Sequence, residues 1–158
     1  MIEATARVLK NVIDLEVGSE RWVARPTGSE EPAIGRRLAA LFATEYRTYR
    51  DAEPDAVHSV VSYHAKSDEI HIRLGETLVR TVGTVFGPLR LDYGGVTFTI
   101  NERLTGRFSI VKRGTPVAQG QLGFRSCIIR DYPADLEVIF ADLAVGYVIR
   151  TLTWEMFR

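Results

Sequence analysis

The chain has a single cysteine, Cys127, so no internal disulfide can form and the stapled frameworks of small secreted domains are excluded. Nor is there an excess of charge: 20 Lys and Arg balance 20 Asp and Glu, with both signs interspersed. Nucleic-acid binding normally shows as a basic surplus on one element, so no nucleic-acid partner is expected. No apolar run reaches the length of about 20 residues that a membrane-spanning helix needs. Glu3 and Arg7 fall where a signal peptide would need an unbroken apolar core, and neither end carries a lipidation signal. These absences point to a cytoplasmic protein without a transmembrane span.

Catalytic signatures are also missing. The glycines are spaced as punctuation between strands, and none of the nucleotide-binding loop, dinucleotide fingerprint, serine-hydrolase elbow or zincin patterns occurs. No catalytic set and no cofactor is assigned. Cys127 lies in Phe124-Arg125-Ser126-Cys127-Ile128-Ile129 with no histidine beside it, which suits a buried, inert thiol. Only His58, His64 and His71 are present. His64 and His71, with Asp68 or Glu69, are candidates for a metal site, but a zinc centre needs three or four ligands on one face. Strand residues at the surface are the preferred reading.

What is present is dominated by the last stretch, Pro133 to Arg158. Between Leu136 and Ile149 only Glu137 and Asp142 are charged. Leu136, Ile139, Phe140, Leu143, Tyr147 and Val148 fall on one broad face at helical spacing, and Val138, Val145, Ile149 and Leu152 cover much of the other. A helix apolar nearly all round must be enclosed. Asp142 interrupts it and no basic cluster flanks it, so protein rather than lipid is expected to surround it. Pro133 and Asp135 provide the start signal, the aspartate as an acceptor for first-turn amides.

The preceding chain supplies the enclosure. Ile13, Leu15 and Val17 alternate with acidic residues, Gly18-Ser19 turns, and Trp22 and Ala24 continue the alternation, which predicts a hairpin over residues 12 to 26. Ala4 to Lys10 reads as either strand or helical turn. Ser29, Glu30 and Glu31 followed by Ile34, Leu38, Leu41, Phe42, Tyr46 and Tyr49 predict an amphipathic helix near residues 30 to 50, ended by Pro54. From Val57 to Arg130, short strands follow one another between turn residues, with Gly94-Gly95 and Arg113-Gly114 as hairpin tips. About ten strands result. The fold expected is α+β, mostly antiparallel β: one domain, residues 1 to 158, as a β-barrel or strongly curved sheet around a buried C-terminal helix. Gly146 would let a wall side chain come close to that helix.

The order of paired strands, the turn at Arg113-Gly114-Thr115-Pro116, a final strand, then Tyr132-Pro133-Ala134-Asp135 and a terminal apolar helix resembles the tubby-like group, which includes the LURP-one-related proteins and phospholipid scramblases. The resemblance covers residues 70 to 155 and implies a closed barrel around a hydrophobic C-terminal helix, with lipid contact. The chain departs from the group in lacking a matching basic pocket, a cysteine-rich stretch and an acidic calcium loop.

Two functional readings follow. The first is a non-enzymatic barrel module for lipid or protein interaction, with Lys112, Arg113, Arg36 and Arg37 as contacts for anionic lipid. The alternative is a small-molecule-binding protein or enzyme with a pocket beside the C-terminal helix, lined by Asp142, Tyr147 and Trp154. Asp142 itself is expected at a barrel mouth or paired with an arginine, ahead of a ligand-anchoring or proton-handling role. Trp154, Met156 and Phe157 form an apolar end through which a homodimer would pack.

Overall fold

The computed structural model describes residues 1–27, 44–83 and 87–156. Among these residues, twelve strands form one closed antiparallel barrel in which each strand pairs with its sequence neighbours, and the first pairs with the last. They are β1 (Ile2–Arg7), β2 (Val12–Val17), β3 (Glu20–Pro26), β4 (Glu45–Arg50), β5 (Glu53–His64) and β6 (Glu69–Leu74). The circuit continues through β7 (Thr77–Val82), β8 (Leu89–Tyr93), β9 (Val96–Glu102), β10 (Arg107–Lys112), β11 (Thr115–Gly123) and β12 (Ser126–Arg130). A 3₁₀ turn, Ala134–Leu136, then leads into the helix α1 (Glu137–Met156).

Alternation sets which side of the wall each residue faces. Ile13, Leu15 and Val17 of β2 point inward and are buried, as are Trp22 and Ala24 of β3. Opposite them around the barrel, Phe98, Ile100, Phe108 and Ile110 do the same. The tips of two hairpins carry positive φ at both central residues, Gly94 (60°) with Gly95 (76°) and Arg113 (48°) with Gly114 (80°). That geometry matches the right-handed twist of the flanking strands.

The helix fills the barrel. From Ile139 to Ile149 every residue is buried, including small ones such as Ala141 and Ala144. Phe140 meets Phe98 of β9 edge-on at 6.1 Å between ring centres, and Tyr147 stacks on Phe108 of β10 at 4.9 Å. At Gly146 the wall comes closest: a Cβ there would stand 2.3 Å from the Ile70 side chain of β6. Removing this apolar surface from water, at about 25 cal/mol per Å², is what joins helix and wall. The helix is too short in apolar length to cross a membrane, as is every helix among the described residues.

Three expectations need correction. Residues 45–50, expected in the C-terminal part of a helix, form β4 between β3 and β5. Tyr46 and Tyr49 satisfy a helical spacing, but Glu-Tyr-Arg-Thr-Tyr-Arg is equally a period-2 segment, with Tyr46 and Thr48 facing inward. Pairing on both sides decides between the readings. The remainder of that expected helix, residues 28–43, lies outside the described residues. Pro54, expected to end the helix, lies within β5 beside a register shift of the β4–β5 pair, where its missing N–H is tolerated. The start of the terminal helix is capped by Pro133 without any side-chain hydrogen bond, and Asp135 contributes only negative charge to the first turn. Of the segment left open between strand and helical turn, Ala4–Lys10, the part up to Arg7 belongs to the strand β1 and the rest to the turn after it.

Candidate functional site

Antiparallel winding places alternate turns at opposite ends of the barrel, and α1 runs from one end to the other. Two residues with a carboxyl or guanidinium group are buried on this apolar helix, Asp142 near its middle and Arg150 near its C-terminal end.

The second is Arg150, about one turn beyond the buried Gly146 contact. Its Nε and Nη2 donate to Asp68 Oδ1 and Oδ2 at 2.9 and 3.1 Å, and Nη1 donates to Glu102 Oε1 and Oε2 at 3.1 and 3.2 Å. Asp68 comes from the β5–β6 turn and Glu102 from the end of β9. Tyr147 Oη donates to Glu102 at 2.7 Å, Tyr63 Oη to Asp68 at 2.7 Å, and Trp154 Nε1 to Tyr63 Oη at 2.9 Å. The guanidinium lies over the Trp154 ring at 4.1 Å. Burial works against the arginine's charge, but the bonds to Asp68 and the field of Glu102 outweigh it and raise its pKa further. Burial, reinforced by Asp68, pushes the Tyr63 phenol up to about 12. Burial and then Glu102 push Tyr147 well above its ordinary value.

Beside this network an open cleft of about 630 Å³ is lined by Asp68, Gly87, Leu89, Asn101, Glu102 and Arg150, among others. Every donor of Arg150 that faces the two carboxylates is engaged, so the cleft does not present a free guanidinium to an anion. What it offers is carboxylate oxygen, suited to a ligand with hydrogen-bond donors or positive charge.

The other polar group is Asp142. It is fully buried, and its Oδ1 accepts from Ser59 Oγ at 2.7 Å; Ser59 in turn contacts the Thr48 hydroxyl. Among the described residues Oδ2 has no hydrogen-bond partner, nor does His58 Nε2, which stands 3.9 Å away. Burial raises the Asp142 carboxyl to about 7, against the opposing effect of the Ser59 bond. His58 moves the other way: burial and then the nearby Arg50 guanidinium lower its pKa. Charge is disfavoured on both, the carboxyl titrating close to neutrality, so the two are not held as a fixed ion pair. Around it, Arg50 is held by Glu20 through two bonds of 2.8 and 2.7 Å and lies over Trp22.

Among protein-family models, curated proteins and solved structures, none matches this chain.

The three residues expected to line one pocket are therefore divided. Tyr147 and Trp154 join through Arg150, whereas Asp142 belongs to a separate buried group with Ser59 and His58. Asp142 neither reaches a barrel mouth nor meets an arginine; a serine hydroxyl takes that place. Lys112 and Arg113 sit on the β10–β11 tip, at the end opposite Arg150. Arg36, Arg37 and Phe157 lie outside the described residues, as does the side chain of Met156. His64 and His71 do come together, with rings stacked at 3.8 Å, but His71 leans on Glu69 and Asp68 turns away to Arg150. No group of three or more metal-ligating side chains occurs among the described residues. Cys127 is fully buried and burial raises its pKa, as suits an inert thiol. Sequence reasoning passed over Arg150, although its spacing from Tyr147 and Trp154, three and four residues, places all three on one face of the helix.

Proposed function

We propose that this chain is a non-enzymatic interaction module, of the plan found in the tubby-like group, acting in the cytoplasm through its outer surface. The observation that carries this reading is the complete burial of Ile139–Ile149 inside a closed barrel. A barrel of this kind serves a small molecule only where its interior is vacant, and here helix side chains occupy the place a ligand would take. Closure leaves no free strand edge, so a partner peptide has no sheet to extend.

The test is to overfill the interior. Ala144→Leu adds volume beside a helix already enclosed, and is expected to lower unfolding free energy by about 1–3 kcal/mol, read by urea denaturation. A variant as stable as the parent would reveal unfilled space and defeat this reading.

The cleft beside Arg150 favours a second reading, a small-molecule-binding protein whose ligand meets Asp68 and Glu102. Organic extraction of purified protein followed by mass spectrometry tests it: a stoichiometric cationic or donor-rich compound supports it, and polypeptide alone counts against it.

A further inference from the structure

The two ends of the barrel differ in what their turns expose. At the end where α1 begins, the turns are Gly18-Ser19, Asp51-Ala52, Gly75-Glu76, Gly94-Gly95 and Arg113-Gly114, all small or polar. At the end where α1 finishes, three turns raise large apolar side chains into solvent: Leu9 at 101% exposure, Leu104 at 111% and Phe124 at 78%. Val8 and Trp154, each 45% exposed, stand at the same end. Isolated apolar residues on a surface are ordinary, and Met1, Val57 and Leu78 stand exposed singly elsewhere, but the other five large exposed apolar residues among those described gather at this one rim.

These three turns are neighbours. The barrel order β2-β1-β12-β11-β10-β9 makes β1–β2, β11–β12 and β9–β10 successive turns along one arc of the rim. Backbone bonds join them at their shoulders: Ala6 N–H donates to Arg125 O at 2.9 Å, and Leu122 N–H to Gly106 O at 2.9 Å. The positive φ of Asn11 (54°), Gly106 (84°) and Arg125 (56°) keeps each turn tight. The tips are thus fixed to one another rather than independent.

Each tip also pairs its apolar residue with an adjacent base: Leu9-Lys10, Arg103-Leu104 and Phe124-Arg125. Residues 8–11, 103–106 and 124–125 include three basic side chains and no acidic one. Arg125 lies over the Phe124 ring at 4.7 Å and bonds Glu155 of α1 at 3.0 Å, while Lys10 and Arg103 are in no ion pair among the described residues.

We propose that this rim docks on the surface of an anionic lipid bilayer, with Leu9, Leu104 and Phe124 entering the headgroup and upper acyl region and Lys10 and Arg103 meeting lipid phosphates. Separate apolar tips with polar backbone between them do not make the continuous packed centre that a protein interface needs. A fluid bilayer accepts each tip without a matching pocket, and bases beside buried apolar groups gain from the negative surface potential. Trp154, half-exposed next to Arg150, is a residue type that favours the headgroup level. The inference rests on the outer surface being the working one, and it names the partner.

The experiment is co-sedimentation of the full chain with vesicles of phosphatidylcholine alone and of phosphatidylcholine with about 30% phosphatidylserine, at low and raised salt. Binding is expected to the anionic vesicles, weakened by salt and weak on phosphatidylcholine alone. The triple variant Leu9→Ser, Leu104→Ser, Phe124→Ser should bind at least about tenfold less tightly, with unchanged melting temperature because all three tips are exposed. Lys10→Glu with Arg103→Glu should remove most of the salt dependence. Lys112→Glu with Arg113→Glu, at the far end, should bind like the parent. Absence of parent binding, or full binding by the triple serine variant, overturns the proposal. So does a concentration-dependent dimer that the serine variant abolishes without any vesicle binding, since the rim would then be a contact between copies. The Ala144→Leu measurement is independent of lipid, so failure of the filled-barrel reading and failure of the docking surface are separable.

Discussion

Asp142 and Arg150 lie about two helical turns apart on one helix, both buried, yet their surroundings answer the charge problem in opposite ways. Arg150 keeps its charge because two turns of the wall bring carboxylates to it and a tryptophan face covers it. Asp142 receives one serine hydroxyl and a neutral histidine, and gives up its charge near neutral pH instead. A long basic side chain at the helix end can reach groups at the rim, whereas a short carboxyl at mid-barrel meets only what the inner wall provides. Position along the barrel axis, more than burial itself, decides which solution is open.

The largest test of this contrast is to remove the satisfied charge. Arg150→Ala leaves Asp68 and Glu102 facing each other without their cation, and the expected loss is about 3 kcal/mol, the low end for a buried pair because both carboxylates are partly exposed. Urea denaturation at neutral pH reads it; a loss under about 1 kcal/mol would mean that the network adds little to stability.

Next is to neutralise the unsatisfied one. The folded carboxyl titrates at about 7, against about 3.9 when unfolded, so the native state holds the extra proton between those values. Its contribution to stability is present below the unfolded pKa and is lost as pH rises through about 7. Asp142→Asn should therefore gain about 2 kcal/mol at pH 8 and abolish the falling limb. The residual limb belongs to His58, whose lowered pKa makes stability rise with pH up to the unfolded value. The groups that bear on His58 are Arg50 of β4, Glu20 of β3 and Glu53 of β5, which the substitution leaves in place, and Asp142 itself at 3.9 Å, whose loss removes a carboxyl from the histidine and should shift that limb as well. A pH profile unchanged by Asp142→Asn would show that the carboxyl is ionised throughout.

The smallest effect sharpens the comparison at its hydrogen bond. Ser59→Ala removes the only donor on Asp142 among the described residues and should cost about 1–2 kcal/mol at pH 8. Because that bond favours the charged form, its loss raises the folded pKa further: the falling limb should extend to higher pH, with the Asp142 carboxyl resonance in NMR titrating above its value in the parent. A downward move would contradict the assignment.

Much of the architecture was legible because local pattern and global fold agree. Alternation in β2, paired positive-φ residues at Gly94-Gly95 and Arg113-Gly114, and the unbroken apolar character of α1 each point to the barrel without outside knowledge. β4 was not legible, since Tyr46, Thr48 and Tyr49 suit either period and only the partners β3 and β5 choose. The polar clusters were harder. Asp68 and Glu102 stand in or beside turns, where carboxylates are ordinary, and reach Arg150 across 82 and 48 positions of sequence. Asp142 could be flagged as out of place on an apolar helix, but Ser59 is 83 positions away and carries no local sign of its role. The rim was hidden for a different reason: Leu9, Leu104 and Phe124 are unremarkable alone, and become a group only when closure sets their turns side by side.

Closure also constrains the order in which the molecule can be built. The seam is the pairing of β1 with β12, Ile2 opposite Ile129, and the segment that fills the interior follows the last wall strand in sequence. Because α1 packs against β1 and β12 as well as β5 and β6, the helix and the seam are expected to come together in one step. Contacts this distant along the chain form slowly, and opening again requires the wall to part. Backbone amides within Ile139–Ile149 are accordingly expected to exchange with solvent only when the wall opens, at this seam or at the shorter β7–β8 pairing, and hydrogen exchange reads which.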